Sequence, residues 1–96
     1  MLAAVVNPAG TICGKAWEKT PKGGCAQQVA ECMARVGMAA VASAGCSVGE
    51  IASVGVGSPG TVDPQEGIIS RWYKMGFENV PIKALLSSYF KQEVYL

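Results

Sequence analysis

Residues 54–64 read VGVGSPGTVDP, and this stretch carries the strongest signal about fold and function in the chain. Its glycines at positions 55, 57 and 60 form a GxGxxG pattern. In dinucleotide-binding proteins this pattern lies between a strand and a helix, and the pyrophosphate binds at the helix N-terminus. The interpretation of the stretch therefore depends on whether a helix can follow Gly60.

The residues around the glycines argue against such a helix. The apolar, β-branched run at residues 51–56 predicts a strand of the buried kind found in parallel sheets. Pro59, Gly60 and the Asp63-Pro64 pair then favour turns, because proline disfavours helical backbone before it and inside a helix. The pattern is therefore not interpreted as a dinucleotide site, and it also lacks the lysine and hydroxyl residue of a P-loop.

The same residues suit a different role. Pro59 and Gly60 fit the central positions of a type II turn, where proline presets φ and glycine takes a positive φ. This turn follows the carboxyl end of a strand, which is where ligands bind in open α/β sheets. The backbone amide of Gly60 could approach a ligand closely, and a polyol such as a sugar would suit that contact. The residues alone leave open the alternative that Pro59-Gly60 is only a turn.

Length, composition and charge set limits on the fold and the partners. The chain has 96 residues, of which 50% are hydrophobic and 16% are charged, so it predicts one small domain with a buried core. The net charge is +1 and no basic run occurs, so nothing indicates nucleic acid or an anionic membrane as a partner. Its longest apolar stretch is interrupted by glycines and polar residues, which argues against a membrane span.

The four cysteines show no metal-binding spacing. They lie at positions 13, 25, 32 and 46, no CxxC occurs, and histidine is absent. A zinc site that uses all four is disfavoured on this spacing. We interpret them as reduced thiols that act as small hydrophobic side chains in a cytoplasmic protein, since the N-terminus also lacks the basic region of a signal peptide.

Turn residues and apolar periodicity predict the first elements. Residues 2–6 and 11–18 flank an Asn-Pro-Ala-Gly turn and predict a β-hairpin. Residues 25–44 carry apolar side chains at helical spacing, and Gly45 is well placed to end that helix.

The second half continues the α/β pattern. Residues 67–77 predict a hairpin-like excursion, and Pro81 fits the first turn of a second helix. That helix carries an apolar stripe of Ile82, Leu85, Leu86, Tyr89 and Phe90. Residues 93–96 begin a last strand. The order β-β-α-β, turns, α-β predicts an α/β fold.

Three motifs in this half resemble the ROK family, named for repressors, open reading frames and kinases. They are GVGSPGTVDP at 55–64, EGII at 66–69 and GFENVPI at 76–82. The family patterns are close to G-I-G-x-P-G-x-V-D-x-x-x-G-x-V and L-G-W-x-N-V-P-L, with the same spacing. The resemblance is strong over residues 48–96, whereas residues 1–47 are similar to the family only in the order and length of their elements.

The resemblance implies an actin-like, ribonuclease-H-like amino-terminal lobe, with a mixed sheet and two main helices. Family kinases close two lobes over a hexose and ATP with magnesium, and the Pro-Gly turn lies beside the sugar. On that basis Gly60 and Thr61 are the first substrate-binding candidates, followed by Tyr73 and Lys74. Many relatives carry Pro-Asn or Asn-Asn at the last two positions, so the sugar preference stays open. Asn79 matches the N-V-P motif, and we interpret it mainly as a cap of the helix that follows.

The resemblance also implies that two catalytic segments lie outside residues 1–96. Family kinases open with a D-x-G-G-T strand that holds the ATP phosphates, whereas residues 1–6 resemble the second strand. The catalytic aspartate of the family's E-N-D motif would directly follow Leu96. We therefore expect one incomplete lobe over residues 1–96, without the first family strand. It would contain no catalytic residue, bind no ATP or magnesium alone, and phosphorylate no sugar alone.

Without that first strand the sheet would have a gap in its middle. Three outcomes are open: residues 2–6 close up against residues 51–56 in an antiparallel pair, the chain associates with a second copy, or the fold is marginal. We expect closing up or self-association.

Three functions from different classes are compatible with the resemblance. The leading hypothesis is part of a cytoplasmic, glucokinase-like hexose kinase that supplies the sugar-binding side. The first alternative is the sugar-sensing lobe of a ROK transcriptional repressor. The second is a non-catalytic module that binds a sugar or a protein partner.

Overall fold

The computed structural model describes all 96 residues and contains two α-helices, seven strands and a short 3₁₀ turn. The predicted element order is confirmed. The predicted excursion at residues 67–77 contains the strand at 68–72 and the start of the strand at 77–80, and a further strand that was not predicted precedes it at 61–63. In chain order the elements are β1 (Leu2–Val6), β2 (Ile12–Trp17), α1 (Ala26–Ser43), a 3₁₀ turn (Val48–Glu50), β3 (Ser53–Gly55), β4 (Thr61–Asp63), β5 (Ile68–Trp72), β6 (Phe77–Val80), α2 (Ile82–Ser87) and β7 (Glu93–Tyr95).

Strands β1 and β2 form the predicted antiparallel hairpin, with Leu2 opposite Trp17. The side chain of Asn7 organises the turn, because its Oδ1 accepts hydrogen bonds from the N–H groups of Ala9 at 3.0 Å and Thr11 at 2.9 Å. Asparagine favours this arrangement, in which the side chain replaces a backbone acceptor.

Helix α1 has the ends that the sequence predicts. At its start the N–H of Cys25 donates to Oε1 of Gln28 at 3.1 Å, which satisfies a backbone group that the helix leaves free. After its end Gly45 has a φ of +72°, a conformation that glycine adopts readily. Gly37 costs helix propensity, but a Cβ there would lie 3.0 Å from the ring of Phe90. The glycine therefore lets the helix approach the core closely.

The core lies between α1, α2 and the strands of the second half. Its buried residues are all apolar, and no polar or charged residue is buried. Burial of apolar surface is the main force that holds these elements together. The central cluster comprises Val29, Ala30, Ala34, Ile69, Trp72, Val80, Ile82, Leu86, Phe90 and Val94.

Strands β4, β5 and β6 form a separate antiparallel sheet in that order. The turn between β4 and β5 is closed by Asp63, whose Oδ1 accepts from the N–H of Glu66 at 3.2 Å and whose carbonyl accepts from the N–H of Gly67 at 2.8 Å. The sheet places Thr61 opposite Arg71, at the end nearest the glycine-rich loop, which comprises residues 56–60.

Strand β3 pairs with β7 in parallel, Ser53 opposite Glu93, as an α/β fold requires. The prediction that β3 is buried is wrong. Ser53 and Gly55 are exposed and only Val54 is partly buried, because β7 is the one neighbour of β3 and its other edge is open.

Of the two outcomes expected for the gap in the sheet, closing up of β1 against β3 is wrong, whereas self-association stays a prediction. Strand β1 pairs only with β2, and β3 pairs only with β7. The hairpin is held on α1 instead. Gly14 lies so close to Ala44 that a Cβ there would collide with backbone atoms. Arg35 Nε also donates to Glu18 Oε2 at 3.0 Å. Closing the gap would require the hairpin to leave the helix.

Helix α2 is shorter than predicted. It ends at Ser87, so Tyr89 and Phe90 lie in the turn that follows it; Phe90 is nevertheless buried in the core. Pro81 is the N-cap and lies one position before the first turn. Asn79 does not cap the helix, because Pro81 occupies the N-cap position. It has a φ of +53° instead, a conformation that asparagine tolerates better than most residues.

The cysteines are all unpaired, and they differ in environment. Cys32 is buried, as the small-hydrophobe interpretation predicts, but Cys13 and Cys25 are exposed, so for these two the interpretation is wrong. Burial, followed by the nearby charge of Glu18, raises the pKa of the Cys32 thiol and keeps it protonated. Neither helix combines the length and the apolar character that crossing a membrane would need.

Candidate functional site

The candidate site is built on the loop that leaves β3. Because β3 and β7 are parallel, their carboxyl ends lie at the same edge of the sheet. The N–H of Val56 donates to the carbonyl of Tyr95 at 2.8 Å, which extends the pairing by one residue and fixes where the loop begins. The glycine-rich loop therefore leaves from the edge at which α/β sheets bind ligands.

The structure excludes a dinucleotide fingerprint in this loop. Strand β4 follows Gly60 directly, whereas the fingerprint needs a helix N-terminus at that position. The interpretation reached from the sequence is confirmed on this point.

The backbone conformation and packing at position 60 explain why this residue is a glycine. Its φ is +108°, in the range that the turn prediction requires of glycine, although no backbone hydrogen bond closes the bend at residues 59–60. A Cβ at this position would collide with the carbonyl oxygen of Arg71. The absence of a side chain thus lets the start of β4 pack against β5.

A small polar cavity opens beside this turn. It measures about 240 Å³ and is lined by Thr61, Ser70, Arg71 and Tyr73. Ser70 Oγ donates to the carbonyl of Thr61 at 3.0 Å, which ties the two strands together at the cavity wall. The volume lies below the roughly 300–1,000 Å³ of typical ligand pockets, so the cavity suits a small ligand.

Arg71 and Tyr73 form one wall of this cavity. The guanidinium of Arg71 lies 5.8 Å from the ring centroid of Tyr73, which is a cation–π contact, and its Nη2 lies 3.8 Å from Oε1 of Glu78. Tyr73 is 66% exposed, so its ring and hydroxyl remain accessible. Together with the Thr61 hydroxyl, this wall offers both donors and acceptors to a ligand rich in hydroxyl groups.

The predicted site residues fall into two places. Thr61 and Tyr73 line the polar cavity, and Lys74 lines a larger cavity between β1 and β3. Gly60 lines neither cavity; it lies in the turn before Thr61, against the carbonyl of Arg71. Sequence reasoning missed Ser70 and Arg71. Arg71 reaches the cavity through its pairing with Thr61 between β4 and β5, and Tyr73 gave no strand-alternation signal for it because β5 ends at Trp72.

The cavity contains no group suited to proton transfer from a substrate. The carboxylate of Asp63 is used in the β4–β5 turn, Glu78 pairs with Arg71, and the chain has no histidine. No three histidine, cysteine, aspartate or glutamate side chains come together as metal ligands. The loop also offers no helix N-terminus for phosphates. These residues therefore do not fit ATP with magnesium.

Fold and site together define an actin-like α/β lobe, the arrangement of the amino-terminal lobe of a hexokinase of known structure. The family model of the ROK family matches residues 2–96, so the chain belongs to the ROK family. This confirms the resemblance drawn from the sequence motifs.

The structural match is to a ROK hexokinase from Thermus thermophilus. The TM-score is 0.73 and the sequence identity is 29%, over 90% of this chain and 27% of the hexokinase chain. The chain thus spans about a quarter of the length of that enzyme. No curated protein matches the sequence.

Proposed function

We propose that residues 1–96 form part of the amino-terminal lobe of an ATP-dependent, glucokinase-like hexose kinase and supply part of its sugar-binding side. The observation that carries the proposal is the polar cavity beside the Pro59-Gly60 turn, next to the carboxyl ends of β3 and β7. The ROK hexokinase of similar structure supports a hexose as the ligand.

The proposal assigns binding roles to four positions. Thr61 and Tyr73 supply hydroxyl groups to the sugar, and Arg71 supplies guanidinium donors and holds the Tyr73 ring. Gly60 shapes the turn. Lys74 lies outside the cavity, and in our proposal it approaches the sugar from the side of the larger cavity.

We further propose that residues 1–96 alone have no kinase activity. The cavity holds no free carboxylate to accept the proton of a sugar hydroxyl, and phosphoryl transfer needs such a group together with a phosphate and metal site. ATP and magnesium then belong to a complete family kinase. Four unpaired cysteines support a cytoplasmic location, where thiols stay reduced.

Glucose-dependent thermal stabilisation of the purified chain tests the binding role. A ligand that binds only the folded state stabilises it by about 2.7 kcal/mol at a concentration 100 times its Kd. We expect the melting temperature to rise with glucose. In Thr61→Val and in Tyr73→Leu we expect binding to weaken about 2- to 10-fold for each hydrogen bond lost.

The matched control is Thr11→Val, which makes the same change at an exposed threonine in the β1–β2 turn. It should bind glucose as the unchanged chain does. A sugar site here is contradicted if glucose does not stabilise the chain. It is also contradicted if Thr61→Val and Thr11→Val weaken glucose binding equally. ATP-dependent glucose phosphorylation by the chain alone contradicts the proposal that it is inactive.

A further inference from the structure

Arg71 carries the only charged side chain in the wall of the polar cavity. The other three lining residues are Thr61, Ser70 and Tyr73, whose side chains end in uncharged hydroxyl groups. No carboxylate lines the cavity. A ligand that enters it therefore meets a positive charge with no negative charge in the same wall.

The guanidinium of Arg71 is weakly paired within the chain. The carboxylate of Glu78 lies 3.8 Å from its Nη2, which is beyond the roughly 2.7–3.2 Å of a hydrogen bond, and both side chains are more than half exposed. The other arginine, Arg35, instead donates hydrogen bonds to Glu18 from both Nε and Nη2. The donors of Arg71 are therefore free for a ligand, whereas those of Arg35 are occupied.

The neighbours of Arg71 keep its guanidinium beside the cavity. The ring of Tyr73 lies 5.8 Å from it, and Arg71 pairs with Thr61 across β4 and β5. Residues that lie directly opposite each other in an antiparallel pair have Cβ atoms about 4.5–5.5 Å apart. A ligand that contacts the Thr61 hydroxyl is therefore within reach of Arg71.

The hydrogen-bonding groups of the wall favour an anionic oxygen group at Arg71. A guanidinium offers only donors, and it forms two parallel hydrogen bonds with a carboxylate or a phosphate. A sugar hydroxyl has a single oxygen and cannot form such a pair. Hydrogen bonds to a charged acceptor are also about twice as strong as those between neutral groups. The hydroxyl groups of Thr61 and Tyr73 remain for the sugar ring.

We propose that Arg71 makes the polar cavity select a hexose that carries an anionic oxygen group, a phosphate or a carboxylate, over the neutral hexose. This inference rests on the proposed function, since it requires a sugar in this cavity, and it names the class of sugar that binds best. A hexose phosphate is the product that a hexose kinase forms, whereas a hexuronate is a sugar acid with a carboxylate of its own. The shared chemistry is the anionic group that the guanidinium binds.

Isothermal titration calorimetry of the purified chain tests this preference. The probes are glucose, glucose 6-phosphate, glucuronate and inorganic phosphate, all at one pH and one ionic strength because salt screens exposed charges. We expect at least one of the two anionic sugars to bind about tenfold more tightly than glucose. Tighter binding of glucose 6-phosphate alone identifies a phosphate as the group recognised, and tighter binding of glucuronate alone identifies a carboxylate.

Three variants show whether Arg71 is responsible. Arg71→Gln keeps hydrogen-bond donors but removes the charge, so the anionic sugar should lose its advantage over glucose. Arg35→Gln is the matched control, because it removes the same charge from an exposed arginine that does not line the cavity, and it should keep the advantage. Glu78→Gln removes the carboxylate that competes for Arg71 and should increase the advantage by up to about fivefold.

The outcomes separate this inference from the proposed function. Glucose binding with no advantage for either anionic sugar would overturn the inference and leave the sugar site in place. The inference also fails if Arg71→Gln keeps the advantage while Lys74→Gln loses it, or if Arg71→Gln and Arg35→Gln lose it equally. Inorganic phosphate that binds as tightly as glucose 6-phosphate would show an anion site without sugar recognition. If none of the three sugars binds, the proposed function fails together with the inference.

Discussion

Two isoleucines in strands show how differently the two halves of the molecule are covered. Ile69 of β5 is 0% exposed, whereas Ile12 of β2 is 59% exposed. Both lie in antiparallel strands with apolar neighbours. The difference is that Ile69 of β5 packs into the core cluster with Ile82 and Leu86 of α2, whereas Ile12 lies at an end of the hairpin that no other element covers.

The contrast extends over the outer side of the β1–β2 hairpin. Leu2, Val6, Ile12 and Trp17 are all more than half exposed, and Trp17 reaches 69%. In the second half, the tryptophan Trp72 is buried among core residues. The hairpin therefore has the apolar surface of an internal element, whereas the second half packs with α1 into the core.

Replacing each of the two isoleucines with alanine tests this difference in burial and has the largest expected effect on stability. We expect Ile69→Ala to lower the free energy of unfolding by about 2–5 kcal/mol, because it removes buried methyl groups and leaves a cavity. Urea denaturation followed by circular dichroism measures the loss. Ile12→Ala is the matched control and should change stability by no more than about 0.5 kcal/mol. An equal loss of unfolding free energy in the two variants would mean that Ile12 is buried by another surface in solution.

The contact that holds the hairpin on α1 gives the second prediction. We expect Gly14→Ala to destabilise by about 1–3 kcal/mol, because the new Cβ meets backbone atoms of Ala44 that cannot move aside easily. The conformation of Gly14 is not the cause, since its φ is not positive.

Gly57→Ala is the control for this variant, because a Cβ at Gly57 meets nothing within 4 Å and its φ is also not positive. Thermal denaturation of both variants measures the difference. A Gly57→Ala variant as unstable as Gly14→Ala would show that loss of glycine itself, and not the close contact, has the effect.

The third and smallest effect concerns pH. The hydrogen bond from Arg35 holds the pKa of the Glu18 carboxyl below its ordinary value of 4.5. Because the folded pKa is lowered, the ion pair stabilises the fold fully above about pH 4.5 and loses this effect as the pH falls through the folded pKa. Both side chains are largely exposed, so the contribution is small.

The measurement is the melting temperature of Glu18→Gln across the acid range. The variant should melt slightly below the unchanged chain at neutral pH, and the difference should disappear in acid. Glu31→Gln on α1 is the control, since Glu31 forms no salt bridge. A difference that persists unchanged at low pH would show that Glu18 acts through packing and not through its charge.

Local signals in the sequence predicted much of the fold. The Asn7 turn, the apolar spacing of α1 and the position of Gly45 each depend on nearby residues, and each prediction is confirmed. The motifs at 55–82 identified the family correctly, because turn residues at fixed spacing are a specific signal.

The failures concern relations between distant parts of the chain. The burial of β3 depends on whether a second neighbour is present, which the apolar run at 51–56 does not reveal. The pairing of β1 depends on how tightly Gly14 fits α1, which only the packed structure shows. Arg71 enters the candidate site through its register with Thr61, a relation across ten positions of the chain.

The parallel pairing of β3 with β7 has a consequence for the order of events in folding. It joins residues 53 and 93, whereas the β1–β2 and β5–β6 hairpins join near neighbours. Contacts between distant residues form late, because closing a long loop costs chain entropy before the contact can stabilise the chain. The edge that supports the glycine-rich loop is therefore completed near the end of folding. A ligand held at that edge would lengthen the lifetime of the native state and leave the rate of folding almost unchanged.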